Sequence, residues 1–303
     1  MTEELVSIII PAFNAERFIA KALESVCAQT YRSWEVVFID DGGTDGTLQL
    51  VTEFSSKVSR LVQILRHARA RGPSAARNTG MKAAKGQFIA FLDADDFWLP
   101  DHLESLCAIL RSGKADLAYS DCFVFREALS GDVELLPIDT TEVKNPATDL
   151  FRRNFINPSG AAITCGLMEK VGEFDQTMRG TEDADYWIRA AINGYQIAST
   201  GKQTYYYRKS VGSLSAAPAR MAEGIARVYE KHLHCGLLPE AELAKKATQC
   251  YFAAGKLHWR HNAASASHAF YQSWRLDKRN PMPLLWFFFT SGLSLTRRGA
   301  GNS

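Results

Sequence analysis

Three short apolar runs, at residues 6–10, 36–39 and 88–92, lack the polar–apolar alternation of a strand with one face in water. Runs of this kind fit strands covered on both faces, as in a parallel sheet. Between them lie segments of helical period. Phe18, Ala22 and Val26 recur with Ile19, Leu23 and Cys27 after Asn14, a candidate N-cap, and a second helix capped by Thr44 or Asp45 runs to about residue 54. A third strand is expected at 62–65, an alanine-rich helix at 74–84, and a helix from Pro100 to about residue 110 with proline at its favoured first position. Alternating strands and helices joined by short links predict a doubly wound α/β fold, a mostly parallel sheet flanked by helices.

Two acidic clusters fall at strand ends in this scheme, Asp40-Asp41-Gly42-Gly43 and Asp93-Ala94-Asp95-Asp96. Ligands of doubly wound sheets bind beyond the carboxyl ends of the strands, so both clusters are placed at a site. Asx turns and helix caps account for Asp40, Asp41 and Asp45 without any ligand. The second cluster is harder to explain structurally, because three carboxylates in four residues repel one another unless a cation or solvent intervenes. A hard divalent ion is the natural counter-charge, and beside a bound diphosphate it would neutralise a departing nucleotide. Arg77, one turn inside the 74–84 helix, is the better phosphate candidate of its basic segment; Arg66 and Arg69 read as a solvated loop.

From 117 to about 215 the pattern loosens, with strands near 117–125 and 160–164, a helix over 183–193 and the run Tyr205-Tyr206-Tyr207. Beyond Ala216 the chain becomes helical, at about 219–234, 239–258, 263–276 and 283–295, with the helices around 251–276 expected to stack as a hairpin. The expected organisation is a domain over 1–215 and a small helical region over 216–303. A net charge of +2 gives no reason to expect a nucleic-acid partner. Six scattered cysteines without a CxxC pair read as core thiols in a reducing compartment, and the acidic N-terminus is unlike a signal peptide, so a cytoplasmic location is expected. His232, His234, His258 and His261 read as surface or packing residues. Trp286-Phe287-Phe288-Phe289 ahead of Arg297-Arg298 fits a helix packed on its own domain or on a twin subunit, or a peripheral contact with the membrane's inner face.

Three stretches in order, VSIIIPAFNAERFIAKALESVCAQTYRSWEVVFIDDGGTDGT, GPSAARNTGMKAAKGQFIAFLDADDFWLPDHL and VGEFDQTMRGTEDADYWIRAAINGY, cover most of residues 6–215. In combination they resemble the inverting, GT-A-type glycosyltransferases of family 2. The resemblance implies a nucleotide-diphospho-sugar donor, a UDP-sugar by default, and a glycan or glycolipid acceptor in surface polysaccharide or glycolipid synthesis. It implies that Pro11 and Phe13 lie against the nucleotide, that Asp41 hydrogen-bonds base or ribose, and that Arg77 sits near the diphosphate. Asp95 would hold Mn²⁺ or Mg²⁺, with Asp93 reaching the ribose or a bridging water. Asp183 would be the catalytic base, and Glu182 and Arg208 are candidates on the acceptor or phosphate side. Ser210 stands where the family often has histidine, and Gly43 where it has serine, a change expected to matter little. The competing expectations are a catalytically idle module on the same fold and a sugar-nucleotide pyrophosphorylase. The latter would carry a glycine-rich basic loop where this chain has Pro11-Ala12-Phe13-Asn14.

Overall fold

The computed structural model describes residues 4–127, 133–136, 143–209 and 217–299, with only the backbone for 127, 133 and 292–299. Its first half is β1 (Val6–Ala12), α1 (Ile19–Cys27), β2 (Trp34–Asp40), α2 (Thr47–Lys57), β3 (Val62–Arg66), α3 (Pro73–Ala83) and β4 (Phe88–Phe91). There follow β5 (Phe97–Trp98), α4 (His102–Arg111), β6 (Leu117–Glu127), β7 (Val133–Leu136), α5 (Pro146–Asp149), β8 (Ala161–Thr164), α6 (Cys165–Val171), α7 (Glu182–Ile192) and β9 (Ile197–Arg208). Four helices end the chain, α8 (Pro218–Lys231), α9 (Glu240–His258), α10 (Ala263–Leu276) and α11 (Met282–Gly299).

The strands form one sheet in the order β3-β2-β1-β4-β8-β6-β9-β5, with β7 on β6. The pairs β1–β2, β2–β3 and β1–β4 are parallel, as the non-alternating runs require. Past β4 the pairing becomes mixed. β8 is antiparallel to β4 and β6, and β5 to β9, while β6–β9 is parallel. Parallel order therefore holds on the side of the two acidic clusters and gives way on the side of α7.

All seven residues of β1 and of β2 are buried, because helices cover both faces. Ile8, Ile10, Val36 and Phe38 share a core with Ile19, Leu23 and Val26 of α1 and Leu103 and Leu106 of α4. Each such aliphatic side chain contributes about 1.5–3 kcal/mol on burial. The opposite face takes α3, which approaches so closely that a Cβ on Gly80 would lie 2.5 Å from Ile9 and 2.8 Å from Ile39. Phe91 on that face meets Phe174 edge-on at 5.6 Å and Trp187 of α7 at 6.2 Å.

Three local expectations are corrected. Asn14 does not cap α1, which starts at Ile19. It adopts φ 50° and its Oδ1 accepts from the Thr44 amide at 2.8 Å, bracing the β2–α2 loop. α4 begins at His102 with Asp101 as N-cap, so Pro100 precedes the helix. Of the cysteines, Cys107 is buried, Cys27 is exposed and the other four are intermediate; only one is a core thiol.

By internal packing the chain divides into two compact units, Met1–Thr177 with Glu182–Ser210, and Met178–Thr181 with Val211–Ser303. The expected boundary at Ala216, like Ser210, lies outside the described residues. In the second unit each helix packs on the next, α8 on α9, α9 on α10 and α10 on α11. Gly255 lets α9 lie against Phe270 of α10, where a Cβ would come within 2.6 Å of the ring, giving the expected hairpin. Two of the tail histidines have acidic neighbours: His234 pairs with Glu240 and His258 with Glu223. No helix among the described residues is long and apolar enough to cross a membrane.

Candidate active site

The carboxyl ends of β1, β2 and β4 lie side by side, Ala12 opposite Asp40 and Ile9 opposite Phe91. At the end of β1, Pro11 is buried while Phe13 projects with 54% of its surface exposed. An exposed ring beyond a strand end is available for stacking on a flat ligand, as the resemblance requires of Phe13.

Asp40 and Asp41 organise this rim. Asp40 accepts from the Gly43 amide at 2.8 Å and pairs with Arg66 at 2.9 Å, so Arg66 is solvated as expected but ends β3 and braces this rim instead of lying in a loop. Asp41 is 4% exposed, with both oxygens engaged. It accepts from His67 Nδ1 at 2.6 Å, from the Arg71 amide at 3.0 Å and from the Gly72 amide at 2.7 Å. Its carboxylate thereby fixes residues 67–72 and sets where α3 begins, and any contact with a nucleotide would share oxygens already in use. Gly42 must be glycine: φ is +77°, and a Cβ would lie 2.7 Å from the Arg69 backbone. At Gly43 a Cβ would stand 2.9 Å from Asp40 Oδ1 and 3.2 Å from Asn14 Oδ1, so the loop packs closely around the glycine.

Arg77 of α3 is 4% exposed and lies between two carboxylates from distant segments. Its Nη2 donates to Asp93 Oδ1 at 2.7 Å and its Nη1 to Glu182 Oε1 at 3.0 Å. Burial would lower its pKa, but Asp93 and Glu182 more than offset that and hold it above its ordinary value. A buried guanidinium bonded at both ends is a positioning group, joining the end of β4 to the start of α7. Glu182, expected on the acceptor or phosphate side, is buried in this bridge.

Within the Asp93–Asp96 cluster the three acids have separate environments. Asp96 is 2% exposed; Ser159 Oγ donates to it at 2.6 Å and the Arg208 amide at 2.8 Å. Ser159 also accepts from the Asp93 amide, so one hydroxyl fixes both ends of the motif. Burial, then the charges of Asp95 and Asp93, pushes the Asp96 pKa well up. Asp95 is half-buried, and burial followed by repulsion from Asp93 raises its pKa to about 6. Among the described residues no other side chain hydrogen-bonds or ion-pairs with its carboxylate, in contrast to Asp93 and Asp96. Arg208 sits beside it, donating from Nε to the Asp95 carbonyl at 3.0 Å, its guanidinium 4.7 Å from the Phe18 ring centre and 4.5 Å from that of Phe125.

No group of three His, Cys, Asp or Glu side chains among the described residues forms a self-sufficient cation site. The donor set nonetheless fits a hard divalent ion that completes its coordination with ligand oxygens. Among the described residues the Asp95 carboxylate has no side-chain hydrogen-bond partner, its setting disfavours the bare charge, and Asp93 meets Arg77 through Oδ1 alone.

Asp183 opens α7, half-buried and adjacent to Glu182. Burial and then the Glu182 charge raise its pKa to about 7, against the lowering effects of the Ala184 amide, Arg77 and Asn154. Asn154 Nδ2 donates to Asp183 Oδ2 at 2.8 Å and the Ala184 amide to Oδ1 at 2.8 Å, so the carboxylate is held at both oxygens. The segment carrying Asn154 is anchored by Trp187 Nε1, which donates to the Ile156 carbonyl at 2.8 Å. A carboxylate with a pKa near neutrality, fixed in orientation, is equipped to accept a proton from a hydroxyl. Asn154 and Ser159 are not among the sequence candidates; neither lies in a motif of catalytic or ligand-binding type, and their roles come from partners distant in sequence.

Comparison with known proteins bears on the family and the fold. The profile of "Glycosyl transferase family 2" matches residues 7–170. The UDP-Glc:alpha-D-GlcNAc-diphosphoundecaprenol beta-1,3-glucosyltransferase WfaP of Escherichia coli is 28% identical over 215 residues, 70% of this chain and 80% of WfaP. WfgD of the same organism, with the same described activity, is 41% identical over 121 residues, 40% of this chain and 47% of WfgD. Among solved structures, Staphylococcus aureus TarS 1-349 superposes with a TM-score of 0.64 at 19% identity, covering 90% of this chain and 80% of that one. A Pyrobaculum calidifontis mannosyltransferase in complex with GDP-Man and Mn2+ also gives 0.64 at 19%, covering 96% and 85%. These two support the fold alone. With more than half the chain matched by the profile and the GT-A architecture in place, the chain belongs to glycosyl transferase family 2 and is an inverting glycosyltransferase.

Proposed function

We propose that this enzyme transfers a sugar from a UDP-sugar, UDP-glucose being the first candidate, to a hydroxyl of a lipid-diphosphate-linked sugar in surface glycan synthesis. The observation that carries the mechanism is the Asp93–Arg77–Glu182 bridge, which ties the acidic end of β4 to the start of α7, where Asp183 lies. The donor and acceptor classes are suggested by the described activities of WfaP and WfgD.

Inversion needs one base on the acceptor side and no covalent intermediate. Asp183, aligned by Asn154 and the Ala184 amide, takes the acceptor hydroxyl's proton as its oxygen attacks the anomeric carbon and the sugar–phosphate bond breaks. Phe13 and Pro11 form the wall for the base, and Asp41 holds the loop that begins α3. Asp95, with Asp93, would hold Mn²⁺ or Mg²⁺, which when bound neutralises charge on the leaving diphosphate. Arg208, beside Asp95, adds a fixed positive charge on the same side. Arg77 keeps Asp93 and Glu182 in place and is not itself a phosphate ligand in this arrangement.

Calorimetric titration of UDP and GDP, with and without Mn²⁺, tests the reading on the parent, Asp95→Ala and Asp183→Asn. The expected result is metal-dependent UDP binding that is lost in Asp95→Ala and kept in Asp183→Asn, which in turn lacks transferase activity. GDP binding in preference to UDP would refute the donor assignment. Binding indifferent to Mn²⁺ would refute the metal site, and an active Asp183→Asn the base.

A further inference from the structure

The last fifty residues of the described chain carry a charge imbalance that the whole sequence conceals. Residues 251–299 contain seven lysines and arginines and a single acid, Asp277, although the full chain has a net charge of only +2. Lys256, Arg260, Lys278 and Arg279 are exposed, and the last two lead directly into α11.

That helix has two unlike faces. On one, Trp286 stacks on Phe270 at 5.4 Å and meets Trp259 at 5.7 Å, Phe287 contacts Tyr271 at 5.7 Å, and Thr290 is fully buried. On the other, Met282, Leu285, Phe288 and Phe289 are 49%, 61%, 64% and 53% exposed. At about 100° per residue these four fall within an arc of about 120°, a continuous apolar strip along the helix. The opposite face is already fixed to α10, so turning the helix to bury this strip would expose Trp286.

We infer that this face of α11 docks in the plane of an anionic lipid bilayer, with Met282, Leu285, Phe288 and Phe289 among the acyl chains and Lys278, Arg279, Arg260 and Lys256 at the headgroups. The choice of occupant follows from charge: a second copy would present the same excess of positive charge, whereas an anionic leaflet complements it. A helix with an apolar strip, basic flanks and too little hydropathy to span lies along the interface. The inference needs neither the donor nor the metal, and an enzyme inactive for either reason still gives a binding result.

Flotation of the full-length chain with vesicles tests it, using phosphatidylcholine alone and phosphatidylcholine mixed with phosphatidylglycerol. The protein is expected to float with the mixed vesicles, weakly with pure phosphatidylcholine, and less as salt rises. Phe288→Ser with Leu285→Ser should lower partitioning about tenfold or more, since two apolar side chains leave the membrane. Lys278→Glu with Arg279→Glu should remove most of the preference for phosphatidylglycerol. All four positions are exposed, so circular dichroism and thermal melting should be unchanged. The inference is overturned by failure to float, by equal binding to both vesicles, or by variants that bind like the parent. A dimer in light scattering that falls apart in the serine variant would also overturn it, because the face would then belong to a second copy.

Discussion

The pH dependence of catalysis follows most directly from the site. Burial and Glu182 raise the Asp183 pKa to about 7, and the role proposed for it as base requires the ionised form. One pH unit below that value about one molecule in eleven carries the carboxylate, so kcat/KM for the donor should fall about tenfold per unit below pH 7. Asn154 sets the position of this acidic limb. Its amide donates to Asp183 Oδ2 at 2.8 Å and favours the carboxylate; a hydrogen bond to a charged group contributes about 1.5–3 kcal/mol. Removing it in Asn154→Ala should move the limb up by about one pH unit or more. Only at a pH well above the variant's raised limb, where both carboxylates are ionised, should the two activities converge. The assay is nucleotide release across pH 5–9 with the donor and acceptor that the binding experiments identify. A parent limb near pH 4, or an unmoved limb in Asn154→Ala, would refute the reasoning. Stability should change in the opposite sense. A carboxyl whose folded pKa lies above its unfolded value favours the folded state most at low pH, and that contribution disappears as pH rises from about 4 through 7. Asp183→Asn should flatten this part of the melting curve.

Other consequences are open to direct measurement. Arg77→Met would leave Asp93 and Glu182 without their shared cation and should cost about 3–5 kcal/mol in urea unfolding; Arg77→Lys should recover only part, because one ammonium cannot reproduce the forked geometry. Gly80→Val would push a side chain into Ile9 and Ile39, which should lower stability by about 1–3 kcal/mol or displace α3. Asp41→Ala would release the Arg71 and Gly72 amides, whose hydrogen exchange should accelerate more than that of the β1 and β2 amides. Ser159→Ala removes a hydroxyl bound to both Asp93 N and Asp96 and should weaken metal-dependent nucleotide binding and also lower stability by about 1–3 kcal/mol, because two buried polar groups lose their partner.

The nucleotide half of the fold is legible because its determinants are local. Strands covered on both faces must be uniformly apolar, and β1, β2 and β4 announce themselves by that property within four or five residues. The mixed pairing past β4 depends instead on which distant strands meet, which periodicity does not encode. The same distinction runs through the site. Asp93, Asp95 and Asp183 stand out because their neighbours in sequence are acidic too. The roles of Arg77 and Asn154 come from partners 105 and 29 residues away, and Ser159 reaches Asp96 across 63. Asn14 has the composition of a cap, but its side chain finds the Thr44 amide on another loop, a better-placed donor than any in α1.

The bridge at Arg77 also bears on how the chain comes together. During synthesis the arginine and Asp93 emerge early, while Glu182 arrives about a hundred residues later, beyond the stretch that the family profile covers. Until α7 docks, α3 brings to the sheet a cation with half its counter-charge, and burying it against β4 is disfavoured. The strands of the nucleotide half can assemble beforehand, since their contacts are apolar and near in sequence. Full burial of Arg77 is favoured only once Glu182 is in place, which links the packing of α3 on the sheet to the positioning of the neighbouring Asp183.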